Sequence, residues 1–227
     1  MSSFLHRQPS IDIFSTTLDI IRRNDDGAEE AKKYISNIYQ KNYGANINPD
    51  PDIIIASRNK ETSALIACTG ISFVTSTQNL FSERYLSEPL DETILSQTGR
   101  IIARHQVVEI GSLASDNPNA AADLIRLMPI IAWFMGSKAI LCTSTRRLRK
   151  LLSFHEVPFC MLSEASPEKI SPEIRAEWGS YYDQKPQTGI ILLEQCGHLF
   201  NHFCGRLVFS EFECMSRDIR PTNQVAA

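Results

Sequence analysis

The sequence predicts an α/β protein, and three observations carry that prediction. Between 104 and 162, β-branched apolar runs alternate with segments of helical periodicity in the order strand, helix, strand, helix, strand, which specifies parallel crossover units. Two more β-branched runs, 52–57 and 63–74, flank the polar stretch 58–62 and predict an antiparallel pair. Ahead of them Ala31, Ile35, Ile38 and Tyr39 recur at helical spacing over 27–43, with acids first and Gly44 as a stop. A sheet that is partly parallel and partly antiparallel, covered by helices, follows.

The elements read in order as follows. A first strand is expected near 10–19, then the helix 27–43, the turn 46–51 and the antiparallel pair. Residues 80–86 are helix-like or loop-like, Pro89 ends them, and 90–98 forms a short helix stopped at Gly99. The crossover region gives a strand at 104–112 and a helix at 119–135 that Pro129 kinks or divides. A strand at 138–143 and a helix at 146–155 come next, the latter capped by Ser144 or Thr145 and apolar along Leu148, Leu151 and Leu152. A strand at 159–162, a helix at 170–178 and strands at 190–194 and 206–212 complete the list. Residues 1–215 read as one domain, with 190–215 as a C-terminal extension and 216–227 as a disordered tail.

Composition narrows the function. With 227 residues, 43% hydrophobic and 22% charged, the chain is long enough for a sizeable core and ordinary for a soluble globular protein. A net charge of −3 with scattered basic residues argues against nucleic-acid binding. The N-terminus lacks a basic start followed by an apolar core, and the longest apolar stretch, 127–135, contains Pro129 and is too short to span a bilayer, so a cytoplasmic location is expected. Cys68, Cys142, Cys160, Cys196, Cys204 and Cys214 read as buried free thiols. Cys196, His198, His202 and Cys204 lack the close cysteine pair usual in zinc sites, and no metal is expected.

The segment Val107-Val108-Glu109-Ile110-Gly111-Ser112-Leu113-Ala114-Ser115 leads into the helix 119–135 and carries the chemistry. A strand, a loop and a helix N-terminus make an anion site, since the helix presents unpaired N–H groups and the positive end of its dipole. Glu109 stands beside it on an otherwise apolar strand. A buried carboxylate costs free energy unless it is paired or used, which makes Glu109 a candidate general base or a carboxylate satisfied by an arginine or backbone amides. The loop Ser115-Asp116-Asn117-Pro118-Asn119 lacks phosphate-cradling glycines, so contacts to a pyrophosphate would fall to the backbone around Asn119, Ala120 and Ala121. Cys142 and Thr143, at a strand end, could hold a reacting acyl group. Arg146, Arg147, Arg149 and Lys150 sit on the first turns of a helix, where they oppose the dipole and point to an anionic partner.

Four blocks together resemble the thermostable hemolysin family: 80–90 (LFSERYLSEPL), 107–114 (VVEIGSLA), 143–149 (TSTRRLR) and 178–183 (WGSYYD). The resemblance covers about 53–189 and implies a fold similar to GNAT N-acyltransferases and acyl-homoserine-lactone synthases: three α/β/α layers around a mixed, partly splayed sheet. It also implies transfer of an acyl group from an acyl-CoA or carrier-protein thioester to a small-molecule amine in secondary metabolism or signalling, with no permanently bound cofactor. In that frame Glu109 is the general base and Ile110, Gly111, Leu113 and Ala114 lie along the thioester arm. Backbone N–H groups near Leu113 and Ala114 hold the oxyanion, and Asn119, Ala120, Ala121 and Arg146 meet the donor's phosphates. Phe81, Glu83 and Arg84 line the acceptor pocket, Tyr85 packs there or protonates the leaving thiolate, and Trp178, Tyr181 and Tyr182 close over the acyl chain. Two alternatives stand beside this reading: a non-enzymatic membrane-active protein, and a thioester-binding module without catalysis.

Overall fold

The structure is a computed structural model that describes residues 10–13, 16–75, 79–203 and 208–209, with side chains from 16 to 200. Among the described residues nine strands form one sheet in the order β7-β8-β6-β5-β4-β3-β2-β1-β9. The expected first strand is a hairpin: β1 (Ser10–Ile13) and β2 (Thr16–Arg22) pair antiparallel, with Ser10 opposite Asp19. Helix α1 (Ala28–Tyr43) ends where Gly44 turns left-handed at φ 63°. Strands β3 (Ile53–Asn59) and β4 (Leu65–Phe73) form the expected antiparallel pair.

A 3₁₀ turn at Phe81–Tyr85 and helix α2 (Leu90–Thr98) follow. Strand β5 (Val107–Ser115) starts three residues later than its sequence pattern suggested, because Arg104–Gln106 winds into a 3₁₀ turn, and it runs three residues further. Helix α3 (Pro118–Phe134) is one unbroken element despite Pro129. It returns the chain to β6 (Ala139–Ser144), parallel to β5. Helix α4 (Arg146–Phe154) is capped by Thr145, whose hydroxyl accepts from Leu148 N–H at 3.3 Å. Strand β7 (Cys160–Glu164) does not lie beside β6: β8 (Gln187–Leu192) inserts between them, antiparallel to both. The second crossover therefore skips a strand. Helix α5 is short (Pro172–Glu177), α6 spans Gly197–Phe203, and β9 (Val208–Phe209) is the described part of the last expected strand. The residues expected to form the tail, and Cys204 and Cys214, lie outside the described residues.

The layers follow from alternation in strands buried on both faces. Ile53 and Ile55 join the core beneath α3, α4 and α6, while Ile54 and Ala56 join the core beneath α1. Val107, Leu141 and Ile190 meet α2 in a third cluster. The fold is three-layered α/β/α around a mixed sheet, as the resemblance implied. Among the described residues no helix is long and apolar enough to cross a membrane.

Two irregularities shape the centre of the sheet. The β5–β6 ladder stops after Glu109–Leu141, although both strands continue, so they diverge beyond that rung. At the same place β5 bulges against β4: Ser112 and Leu113 stand opposite the single residue Thr69, and Ser112 takes φ +58°. Such a bulge redirects the backbone and increases the local twist.

Candidate active site

Glu109 sits at the last rung before the splay and is only 7% exposed. Both its oxygens are engaged by the 3₁₀ turn. Phe81 N–H donates to Oε2 at 2.6 Å, and Ser82 donates to Oε1 through its N–H at 2.9 Å and its hydroxyl at 2.5 Å. The Ser82 hydroxyl also contacts Thr143 Oγ1 at 2.7 Å, which contacts Thr188 Oγ1 at 2.7 Å, giving a hydroxyl chain that ends inside the sheet. Burial pushes the Glu109 carboxyl above the ordinary carboxylate range; the Ser82 hydroxyl and the amides of Ser82 and Phe81 pull it down, and the charge of Glu83 adds to the upward push. Of the expected alternatives for Glu109, the structure shows the carboxylate engaged by backbone amides, and among the described residues Oε2 takes one donor from the protein.

Above Glu109 opens a cleft of about 360 Å³. Its walls come from the turn (Phe81, Arg84, Tyr85), the splay (Gly111, Ser112, Thr143) and the segment around α5 (Glu177, Trp178, Tyr181). The remaining wall is residues 47–52, which includes Pro51 pressed against Gly70; a Cβ at Gly70 would lie 2.9 Å from the Pro51 ring. Sequence reasoning missed this wall. The one signal for it is Gly70 in the middle of a strand, where a glycine marks close approach of another backbone.

On the opposite face, between the diverging strands, lies a narrow apolar slot of about 50 Å³, lined by Ile110, Leu113, Met128, Ile140, Cys142 and Leu148 among others. Gly111 borders both the cleft and the slot. The route from one face of the sheet to the other therefore passes Gly111, two residues beyond Glu109 and at the edge of the bulge.

The predicted residues distribute unevenly over this geometry. Phe81, Arg84, Tyr85, Thr143 and Trp178 reach the cleft, while Ile110, Leu113 and Cys142 reach the slot. Burial raises the Cys142 thiol to about 11, which leaves it a small apolar side chain. Tyr182 does not line the cleft; its hydroxyl meets that of Tyr85 at 2.6 Å, and Tyr85 is 1% exposed. Burial drives both phenols upward, so both stay neutral. Ala114 is buried against α1, on the side away from the slot.

Two expectations are corrected. Glu83 is not a pocket residue: it accepts from Leu80 N–H at 2.8 Å and takes Arg104 in a two-point ion pair at 2.7 and 2.9 Å, which pins the start of the turn. The amides expected at a donor pyrophosphate are occupied as well. Asn117 Oδ1 accepts from Asn119 N–H at 3.0 Å and Ala120 N–H at 3.1 Å, and Ala121 N–H bonds to Asn117 O at 3.0 Å. With proline first in the helix, the N-terminus of α3 offers an anion none of these donors. Arg146 stands exposed at the start of α4 with Arg147 and Lys150, whereas Arg149 turns inward to Ser144 O at 2.6 Å.

Comparison with solved structures finds the same fold in enzymes of low sequence identity. An N-acyl amino acid synthase from uncultured soil microbes, FeeM, aligns over 81% of this chain and 94% of its own at 10% identity, with a TM-score of 0.55. The acyl-homoserine-lactone synthase LasI aligns over 78% and 90% at 8% identity, TM-score 0.51. A mosquito arylalkylamine N-acetyltransferase-like protein aligns over 77% and 99% at 12% identity, TM-score 0.52. No functionally curated protein matches in sequence. The sequence profile of the thermostable hemolysin family does match, over residues 21–196, an interval that runs from the end of β2 through β8 and takes in every wall of the cleft and the slot. The chain belongs to the thermostable hemolysin family.

Proposed function

We propose that this protein is an N-acyltransferase that moves an acyl group from a carrier-protein thioester to a small amine. The observation that carries the reading is the splay at Gly111, which joins a polar cleft holding a buried carboxylate to an apolar slot across the sheet. The three structures named above share the fold and the printed chemistry of acyl transfer, which supports the reading in kind.

In this proposal the thioester lies along the splayed edge of β5, with the first carbons of its acyl chain in the slot. The amine enters from the cleft. Glu109 takes a proton from the attacking ammonium, directly or through a water, using the lone pair that Oε2 keeps beside Phe81 N–H. Nitrogen bonds to the carbonyl carbon, the carbonyl oxygen gains charge facing the backbone N–H groups of the bulge around Leu113, and the C–S bond then breaks. The nitrogen's second proton passes to the departing thiolate, while Tyr85, its hydroxyl engaged by Tyr182, stays a neutral part of the wall.

The capped N-terminus of α3 argues for a protein-borne donor over a free nucleotide one. On α4 the exposed Arg146, Arg147 and Lys150 and the 79% exposed ring of Phe154 offer a basic and apolar face of the kind an acidic carrier recognises. Incubating the purified protein with an amine panel and three donors tests this: an acyl carrier protein, acyl-CoA and a short acyl N-acetylcysteamine thioester, with products read by mass spectrometry. The carrier is expected to be the preferred donor, and reversing the three charges to glutamate should lower the carrier-to-short-thioester rate ratio at least about tenfold. Absence of acyl transfer from all three donors, with leakage of lipid vesicles by the protein alone, would overturn the proposal in favour of direct membrane action.

A further inference from the structure

The polar side chains of the turn at Phe81–Tyr85 are spent on holding it in place, with one exception. Ser82 donates to Glu109, Glu83 caps Leu80 N–H and pairs with Arg104, and Tyr85 is buried with its hydroxyl on Tyr182. The far end of the turn is pinned through the Tyr85 carbonyl, which accepts from Ser163 Oγ at 2.8 Å and Lys169 Nζ at 2.7 Å. Arg84 is the charged side chain of the turn that lines the cleft, beside Phe81, its guanidinium 4.9 Å from the centre of the Phe81 ring.

The charges of the cleft single out the same residue. Arg23 is satisfied by Asp52 at 3.2 Å and Asp50 at 3.5 Å, and Asp50 also takes Lys32 at 2.8 Å. Arg84 forms no ion pair among the described residues, and neither does Glu177, which also lines the cleft. Among the described residues the cleft thus presents one uncompensated guanidinium, on the same turn whose Phe81 and Ser82 amides hold the Glu109 carboxylate. A planar guanidinium laid on an aromatic ring keeps its N–H edge for a carboxylate, which it can bind at two points.

We propose that the acceptor is a free α-amino acid, whose carboxylate Arg84 binds while its ammonium group faces Glu109. This deepens the acyl-transfer reading above and rests on it for the chemistry, though not for the binding. The site selects against amines that lack an acid group, because such a ligand would leave Arg84 unpaired and place a cation beside it.

Calorimetric titration of the full chain with leucine, leucinamide and 3-methylbutylamine tests the inference; an apolar side chain suits the wall formed by Phe81 and Trp178, whose rings lie 5.5 Å apart. Leucine is expected to bind at least about tenfold more tightly than either neutral-tailed analogue. In Arg84→Glu that order should reverse, and Arg84→Lys should retain a smaller preference for leucine. Equal binding of the three compounds, or an unchanged preference in Arg84→Glu, overturns the proposal. Turnover assays with the same acceptors separate it from the reading beneath it. Acylation of all three amines at similar efficiency sinks the amino-acid site and keeps the transferase. Carboxylate-selective binding without acylation of any acceptor keeps the site and sinks the transferase.

Discussion

Replacing Glu109 with glutamine is expected to lower kcat/KM for acyl transfer by about 10²–10⁴-fold, the range over which a positioned general base contributes. Glutamine fills the same volume, so it isolates the charge and the proton-accepting oxygen. Its oxygen can take over the contacts of Ser82, but its amino group then faces Phe81 N–H, where Glu109 accepts at 2.6 Å. That donor loses its partner at a cost of about 1–3 kcal/mol, so the variant should also be less stable. Two pH measurements separate the catalytic from the structural effect. With its carboxyl raised by burial, Glu109 gains its basic form only as pH rises through that raised value. The acid limb of the wild-type kcat/KM profile should therefore lie above the usual carboxylate range, and it should vanish in the variant.

Stability follows the opposite sign. A carboxyl whose folded value lies above its unfolded one contributes stability fully below the unfolded value and loses it as pH rises through the folded one. The stability gap between wild type and Glu109→Gln should consequently narrow in denaturant titrations as pH rises from the ordinary carboxylate range through the raised folded value. An acid limb that persists in the variant would remove Glu109 from the role of base.

How much of this was legible in the sequence differs from residue to residue, for physical reasons. Periodicity placed α1 and the β3–β4 pair within a few residues, because apolar spacing is what decides burial in those elements. The boundaries of β5 slipped because Arg104–Gln106 closes a local 3₁₀ turn, a choice made by short-range hydrogen bonding that leaves no periodic trace. The insertion of β8 between β6 and β7 was equally invisible: apolar runs declare that a strand is buried, not which neighbour it takes. In the site, Glu109 announced itself as one acid in an apolar strand. Glu83 looked like its companion, yet it pairs with Arg104, twenty-one positions away, a contact no local pattern encodes. Asn117 carried the reverse lesson. An asparagine ahead of a helix is a common cap, and the cap it forms here removes the amides that a pyrophosphate would need.

The second large effect is expected at Gly179, in the block 178–183 that gave part of the family resemblance. Its φ is +51°, and a Cβ added there would lie 2.2 Å from Tyr43 O and 2.9 Å from the Gly44 carbonyl carbon. Both obstacles are backbone, and the junction is fixed by Ser180 N–H and its hydroxyl donating to the same Tyr43 carbonyl at 2.8 and 3.1 Å. Alanine must therefore bear the left-handed strain and also push α1 away from the segment that follows α5. We expect Gly179→Ala to cost about 3 kcal/mol or more, which lowers Tm by roughly 6–12 °C in a chain of this length. Trp178, whose ring stacks near those of Tyr39, Tyr181 and Phe81, would shift with it, so its fluorescence should change before global unfolding and the KM for the acceptor should rise. Gly111 provides the contrast. It borders both the cleft and the slot, yet a Cβ there meets nothing within 4 Å, so Gly111→Ala should leave Tm nearly unchanged while narrowing the passage that the proposed thioester would occupy. Equal loss of stability in the two variants would show that Gly179 is not the clamp between α1 and the aromatic wall, and that the cleft is held open by other contacts.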